Sequence, residues 1–350
     1  MKYLLTLIIV IAITAVPVAA QEQTTLTLRE AVNRAIAHSD SFRRLGEQAR
    51  LDEMRNIQAR NDLLNTEENH YLATAVRVMR YDIVRIFSIN NRYDQIEALE
   101  DSIMRLYTAI TNAEADLLFH DRSIDIGRRR LAADRVRHEN GLLSDQDWST
   151  RQREHHQAQL ARTSLESTLD QAYQALSEVM NRSSSDEMRY SITFDLPFEP
   201  LGSRSLAVLA ETAVTNSTAL RRTSRDLEVT RFQHERAQGQ TELQREEQRL
   251  QLDWAERDLR ASQDRQRDNT AAIYRNLRNL ESTRTIQQEQ IQTLRTQLDI
   301  GEHRVELGLM TRLDLDQLHL DFDRAVENLR RTEASHALAL NQILTPSLIN

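Results

Sequence analysis

Two seven-residue stretches decide the fold, and they read Gly141-Leu142-Leu143-Ser144-Asp145-Gln146-Asp147 and Gly308-Leu309-Met310-Thr311-Arg312-Leu313-Asp314. In each stretch the glycine can take the left-handed backbone conformation that ends a helix. The serine or threonine is a good N-cap for a following helix, and the aspartate three residues later completes a capping box. Each stretch therefore predicts a tight turn between two antiparallel helices.

Both turns carry two adjacent apolar residues directly after the glycine. Capping explains the glycine, the hydroxyl and the aspartate, but it does not explain apolar side chains at an exposed turn. Such a pair indicates docking to another protein, whereas the alternative is a turn with no role beyond joining two helices. The predicted docking site for an adaptor protein consists of Gly141, Leu142, Leu143, Ser144, Asp147, Gly308, Leu309, Met310, Thr311 and Asp314.

The segments that lead into these turns have the pattern of long helices packed side by side. Apolar residues recur at alternating steps of three and four over residues 96–117, and residues 273–298 fit one heptad frame. Such a narrow apolar seam is typical of coiled-coil packing. The segment from Gly239 to Gly308 alone would extend roughly 100 Å as a helix.

The chain repeats itself once. Residues 28–44 align with residues 206–222 at an offset of 178, and residues 137–158 align with residues 304–325 at an offset of 167. The second copy is therefore 11 residues shorter in between. We predict an all-α fold with little or no β structure, in which each of two tandem repeats forms a long antiparallel helical hairpin.

The predicted boundaries follow from this alignment. The first repeat comprises residues 21–182, a linker comprises residues 183–205, and the second repeat comprises residues 206–350. Each repeat opens with a starting helix, predicted over residues 28–60 and 206–237. The linker holds one candidate strand, in which three apolar side chains alternate with polar ones: Tyr190, Ile192 and Phe194.

Residues 1–20 have the pattern of a secretory signal peptide. Lys2 provides a positive start, an apolar run follows from Leu4 to Val16, and small residues precede a cleavage site after Ala20. The alternative is an uncleaved membrane anchor, but the apolar run is short for a bilayer span. We therefore expect an exported protein.

Composition argues against several classes of function. Acidic side chains outnumber basic ones by 53 to 45, so nucleic acid is not expected as a partner. The absence of cysteine excludes a thiolate metal site and a thiol nucleophile. Adjacent His155 and His156 do not share one helix face, so no metal site is expected there. With no phosphate-binding loop or nucleophile motif, we predict no catalytic residue, no cofactor and no enzymatic activity.

The arrangement resembles the TolC family of outer-membrane efflux proteins. Members begin with a Leu-Thr-Leu-x-Glu-Ala helix, matched here by residues 26–31, and they are two-fold repeats. Each repeat carries a Gly-Leu-x-Ser/Thr-x-x-Asp turn, matched by residues 141–147 and 308–314. The resemblance implies a homotrimer whose helices form a hollow periplasmic α-barrel. It also implies tip-first docking on a periplasmic adaptor that serves an inner-membrane pump or a type I secretion system.

One departure from the family concerns the membrane end. The resemblance implies a β-hairpin after each starting helix, with strands of about ten residues in alternating pattern. Residues 60–68 and 236–242 cannot supply such strands, so the transmembrane β-hairpins are expected to be missing. Two functions stay open: a TolC-like outer-membrane component that exports passively, and a soluble periplasmic coiled-coil scaffold that docks an adaptor without forming a pore. A third, the adaptor itself, is disfavoured because adaptors are rich in strands.

Overall fold

A computed structural model describes residues 25–67, 70–180, 191–192, 197–236 and 241–349. The predicted signal peptide, Tyr190 and Phe194 lie outside these ranges. The elements run in the order β1 (Thr25–Leu26), α1 (Leu28–His38), α2 (Asp40–Leu64), α3 (Tyr71–Glu139), α4 (Asp145–Val179), β2 (Ser191–Ile192), α5 (Leu206–Asn216), α6 (Thr218–Arg236), α7 (Glu242–Glu306) and α8 (Arg312–Leu344). A short 3-10 turn, Pro346–Leu348, follows α8. The all-α prediction is confirmed.

Each predicted starting helix is in fact two helices, and a serine separates them. Ser39 is at once the C-cap of α1 and the N-cap of α2, where its hydroxyl accepts the Phe42 N–H. Ser217 separates α5 from α6, and its hydroxyl accepts the Leu220 N–H. Both serines have extended backbone conformation, with ψ of 118°. The side-chain hydroxyl replaces a helical hydrogen bond, which lets the chain break without losing a partner.

The two long helices form the frame of the molecule. α3 has 69 residues and α7 has 65, so each spans roughly 100 Å. α4 folds back along α3 and α8 folds back along α7, which gives a first hairpin (α3–α4) and a second hairpin (α7–α8). The two hairpins meet where α3 packs against α8.

The best-packed core lies where the short helices cross the long ones. α1 packs on α3 around Ile103, Tyr107 and Ile110, which are fully buried. In the second repeat Leu209 of α5 packs with the fully buried Leu277 of α7. Ile110 and Leu277 differ by 167 positions, which is the offset that relates the two turns. The repeats are therefore in register from the turns to this core.

The linker between the repeats is fastened to the same region. β2 pairs in parallel with β1, so that Leu26 lies opposite Ile192, and the predicted strand is observed over two residues. Further along, Leu201 is buried and donates its N–H to the Glu281 carboxylate at 2.7 Å. Arg278 donates to the Gly202 carbonyl at 3.0 Å.

The length difference between the repeats falls at the end far from the turns. α1 and α5 have 11 residues each, whereas α2 has 25 and α6 has 19. Residues 65–70 join α2 to α3, and residues 237–241 join α6 to α7. The six residues lost from the starting helix, the one lost from this connection and the four lost from the long helix account for the whole difference. Connections this short have no room for two membrane-spanning strands.

Candidate functional site

The two predicted turns have the same backbone structure. Gly141 has φ of 74° and Gly308 has φ of 72°, both in the left-handed region. The Leu142 N–H donates to the Arg137 carbonyl at 2.8 Å and the Leu309 N–H to the Arg304 carbonyl at 2.8 Å. With the bonds that the two glycine N–H groups make one turn further on, each helix ends in a Schellman motif. We call residues 137–147 the first tip and residues 304–314 the second tip.

The helices that leave the tips are capped as predicted in part. The Ser144 hydroxyl accepts the Asp147 N–H at 3.1 Å, and the Thr311 hydroxyl accepts the Asp314 N–H at 3.1 Å. The predicted capping box is wrong in its second half, because each aspartate carboxylate instead accepts the hydroxyl proton at 2.7 Å. The carboxylates still lie in the first turn, where the helix dipole favours them.

Two of the four predicted apolar contacts are fully presented to solvent. Leu142 is 77% exposed and Leu309 is 74% exposed. Leu143 and Met310 are half-buried instead, since they turn back toward their own hairpins. The sequence analysis missed Leu307, which is 73% exposed beside Leu309. Its signal would have been its place in the left-handed turn, one residue before the glycine.

Behind each tip the hairpin closes in a different way. In the first hairpin Asp134 is buried and contacts Arg137 at 3.3 Å and Arg151 of α4 at 3.9 Å. The residue at the equivalent position of the second hairpin is Gly301, and a Cβ placed there would lie only 3.2 Å from Leu315 and 3.3 Å from Leu318. An ion pair thus closes the first hairpin, and close apolar contact closes the second.

The first tip holds a polar cluster that the second lacks in its described side chains. The His138 ring stacks on Trp148 at 5.6 Å between centroids, and its Nε2 lies 2.7 Å from the Asp145 carboxylate. The equivalent positions in the second tip and α8 are Val305, Arg312 and Leu315, which cannot form this cluster.

Charged side chains join the two hairpins between the tips and the core. Arg129 contacts Asp316 at 2.6 Å, and Arg331 contacts Asp116 at 2.7 Å. Arg331 also contacts Glu327. Burial raises the pKa of the Glu327 carboxyl, but hydrogen bonds from Arg330 and Arg331 outweigh burial and hold that pKa below its usual value. These pairs fix α8 against α3 along the tip half of the molecule.

Within the described ranges, each helix is too short or too polar to cross a lipid bilayer. In the same ranges no group of three or more histidine and carboxylate side chains is placed to hold a metal ion. His155, one of the adjacent pair, lies against Gly127 of α3. His120 contacts the Ala158 carbonyl at 2.6 Å and so bridges α3 and α4.

The same architecture occurs in outer-membrane channels of known structure. The outer membrane protein VceC from Vibrio cholerae superposes with a TM-score of 0.66 at 14% identity, over 91% of this chain and 96% of VceC. The MtrE outer membrane channel of Neisseria gonorrhoeae, in its open state, gives 0.63 at 13% identity, over 92% of this chain and 89% of MtrE. The Campylobacter jejuni CmeC outer membrane channel gives 0.62 at 9% identity, over 92% and 85%. No family model and no curated protein matches the sequence. The predicted TolC-like fold is confirmed.

Proposed function

We propose that this protein is a TolC-like outer-membrane efflux protein, a component of a tripartite efflux or type I secretion complex. It would lie at the outer membrane with most of its length in the periplasm, and export through it would be passive. An inner-membrane pump would supply the energy, and a periplasmic adaptor would link the pump to the tips. The observation that carries the proposal is the pair of matching tips, each with an exposed leucine after the turn glycine.

Assembly into a homotrimer is part of this proposal. Two helices carry apolar stripes on exposed faces: Met54, Ile57 and Leu64 on α2, and Leu243, Leu250 and Trp254 on α7. Their spacings of three, seven and four residues are those of a heptad seam. The stripe on α2 of one copy would pack on the stripe on α7 of the next, and such a head-to-tail contact closes into a ring.

The docking role of the tips can be tested with the double variant Leu142→Asp, Leu309→Asp. Because both leucines are exposed, the melting temperature and the assembly state should change little, while crosslinking to the adaptor and export should be lost. The control is Leu64→Asp, Leu243→Asp, since these leucines are 84% and 69% exposed at the opposite end. A tip variant that crosslinks and exports normally would defeat the proposal, as would one that melts much earlier than the control.

A second candidate function is favoured by the short connections at the far end. Residues 65–70 and 237–241 are six and five residues long, where the family has its membrane-spanning hairpins. On this reading the protein is a periplasmic scaffold that docks an adaptor and does not conduct. Purified protein that gives stable conductance steps in a planar bilayer would reject the scaffold, whereas release from membranes by carbonate washing would favour it.

A further inference from the structure

The two tips share a backbone and differ in the side chains they present. Their glycine φ angles, Schellman bonds and cap bonds agree within 2° and 0.1 Å. Each difference in chemistry therefore arises from side chains at equivalent positions. The pairs that differ most are Asn140 with Leu307, Asp145 with Arg312, and His138 with Val305.

The first tip is acidic. Residues 137–147 carry one arginine and three carboxylates, whereas residues 304–314 carry two arginines and two carboxylates. The Asp145 side chain is 99% exposed, and its carboxylate is positioned by His138 at 2.7 Å. Leu142 stands beside it with polar Asn140 as neighbour. The first tip thus presents a single apolar side chain next to an accessible negative charge.

The second tip is apolar and carries a positive charge. Leu307 and Leu309 are exposed on either side of Gly308. Arg312 occupies the first position of α8, where the positive end of the helix dipole makes a cation unfavourable. Local helix stability therefore does not account for Arg312. A residue that breaks a local rule without a local gain is expected where function requires it.

We propose that the two tips bind different surfaces of the adaptor. The first tip binds a basic side chain beside an apolar one through Asp145 and Leu142, and the second binds a mainly apolar surface through Leu307 and Leu309. Charge complementarity of this kind fixes orientation and register more than affinity. The adaptor then docks in one orientation on each repeat. This inference rests on the proposed function and extends it to the chemistry of the partner.

The test places a photo-crosslinking amino acid at position 142 or at position 309 in cells that contain the native partners. Mass spectrometry then maps the crosslinked residues on the adaptor. We expect two separate adaptor sites, with a lysine or arginine within a few residues of the site reached from position 142. Crosslinks from both positions to the same adaptor residues would overturn the inference and leave the proposed function intact. No adaptor crosslink from either position would contradict both.

Charge-neutralising variants give a second readout. Asp145→Asn should reduce the crosslinking yield from position 142 about two- to fivefold, the range expected for one exposed ion pair, and leave the yield from position 309 unchanged. Arg312→Gln is the matched variant of the second tip and should leave the yield from position 142 unchanged. Equal losses at both positions in the Asp145 variant would overturn the inference. Thermal melting of each variant shows that the fold is retained.

Discussion

At the scale of single residues, one amino acid type has opposite consequences in different backbone conformations. Gly141 is held at φ of 74°, where a Cβ would strain the backbone although nothing lies within 4 Å of it. Gly46 lies in the interior of α2 and also has open space around it. There glycine only adds conformational entropy to the unfolded chain. The two positions therefore separate backbone strain from steric contact.

We predict that alanine changes the free energy of unfolding with opposite signs at these two positions. Gly141→Ala should destabilise by about 1–2 kcal/mol, the cost of the left-handed conformation for a residue with a Cβ. Gly46→Ala should stabilise by up to about 1 kcal/mol, because alanine is the better helix former. Urea denaturation followed by circular dichroism measures both. Changes of the same sign would show that the turn does not require glycine.

A second residue-scale feature is the buried histidine of α8. His336 is 1% exposed and packs on Phe198 of the linker at 4.6 Å between ring centroids. Its Nε2 lies 3.6 Å from Glu281, and Arg284 stacks over the same phenylalanine ring. Burial lowers the pKa of His336 and Arg284 lowers it further, while Glu281 acts in the opposite direction without restoring it. The neutral imidazole is therefore the form that this site accommodates.

The lowered pKa of His336 predicts a loss of stability in mild acid. Above pH of about 6.5 the histidine is neutral in both states. As the pH falls below that value, the unfolded chain takes up the proton more readily than the folded protein, so folding becomes less favourable. The melting temperature of His336→Phe should therefore depend less on pH between 7.5 and 5.5 than that of the unaltered protein. His319→Gln, at an exposed position of α8, should not differ from it.

At the scale of elements, the two hairpins close their helices with different residue pairs. Asp134 with Arg151 in the first hairpin stands where Gly301 with Leu318 stands in the second. The glycine lets α8 approach α7 closely, and leucines of α8 fill the space that a side chain would need. Packing of this kind is intolerant of added volume.

We predict that Gly301→Val destabilises the second hairpin by about 1–3 kcal/mol, as overpacking typically does. The control is Gly127→Val in α3, where the nearest neighbour of a new Cβ would be His155 at 3.6 Å, an ordinary contact. That variant should change the free energy of unfolding by much less. Hydrogen exchange can locate the effect, which should concentrate in residues 295–318. Equal destabilisation by both variants would contradict this account.

The elements also show what could be read from the sequence and what could not. The long helices, the turns and the two-fold repeat follow from heptad spacing and capping residues, which act locally. The breaks at Ser39 and Ser217 were missed because serine at that place is also compatible with a continuous helix. Exposure at the tips was predicted only in part, since it depends on how Leu143 and Met310 pack against their own hairpins. The burial of His336 depends on the linker, which no local pattern places.

At the scale of the whole molecule, the exposed stripes on α2 and α7 predict assembly. Met54→Glu and Trp254→Glu each place a charge in one stripe, and each should shift the protein toward monomer in sedimentation velocity experiments at micromolar concentration. The tip variant Leu142→Asp, Leu309→Asp should sediment as the unaltered protein does. A monomeric unaltered protein, or assembly that persists in both stripe variants, would contradict the predicted ring.

The stagger between the repeats has a consequence for the shape of such a ring. Measured from the turn glycines, α3 extends four residues further than α7, which is roughly 6 Å. All six tips of a trimer would stand level, because the repeats are in register on that side. The opposite rim would be crenellated, with three high points alternating with three low ones. Whatever covers that rim would rest on three raised corners, each formed by residues 65–70 and topped by Leu64.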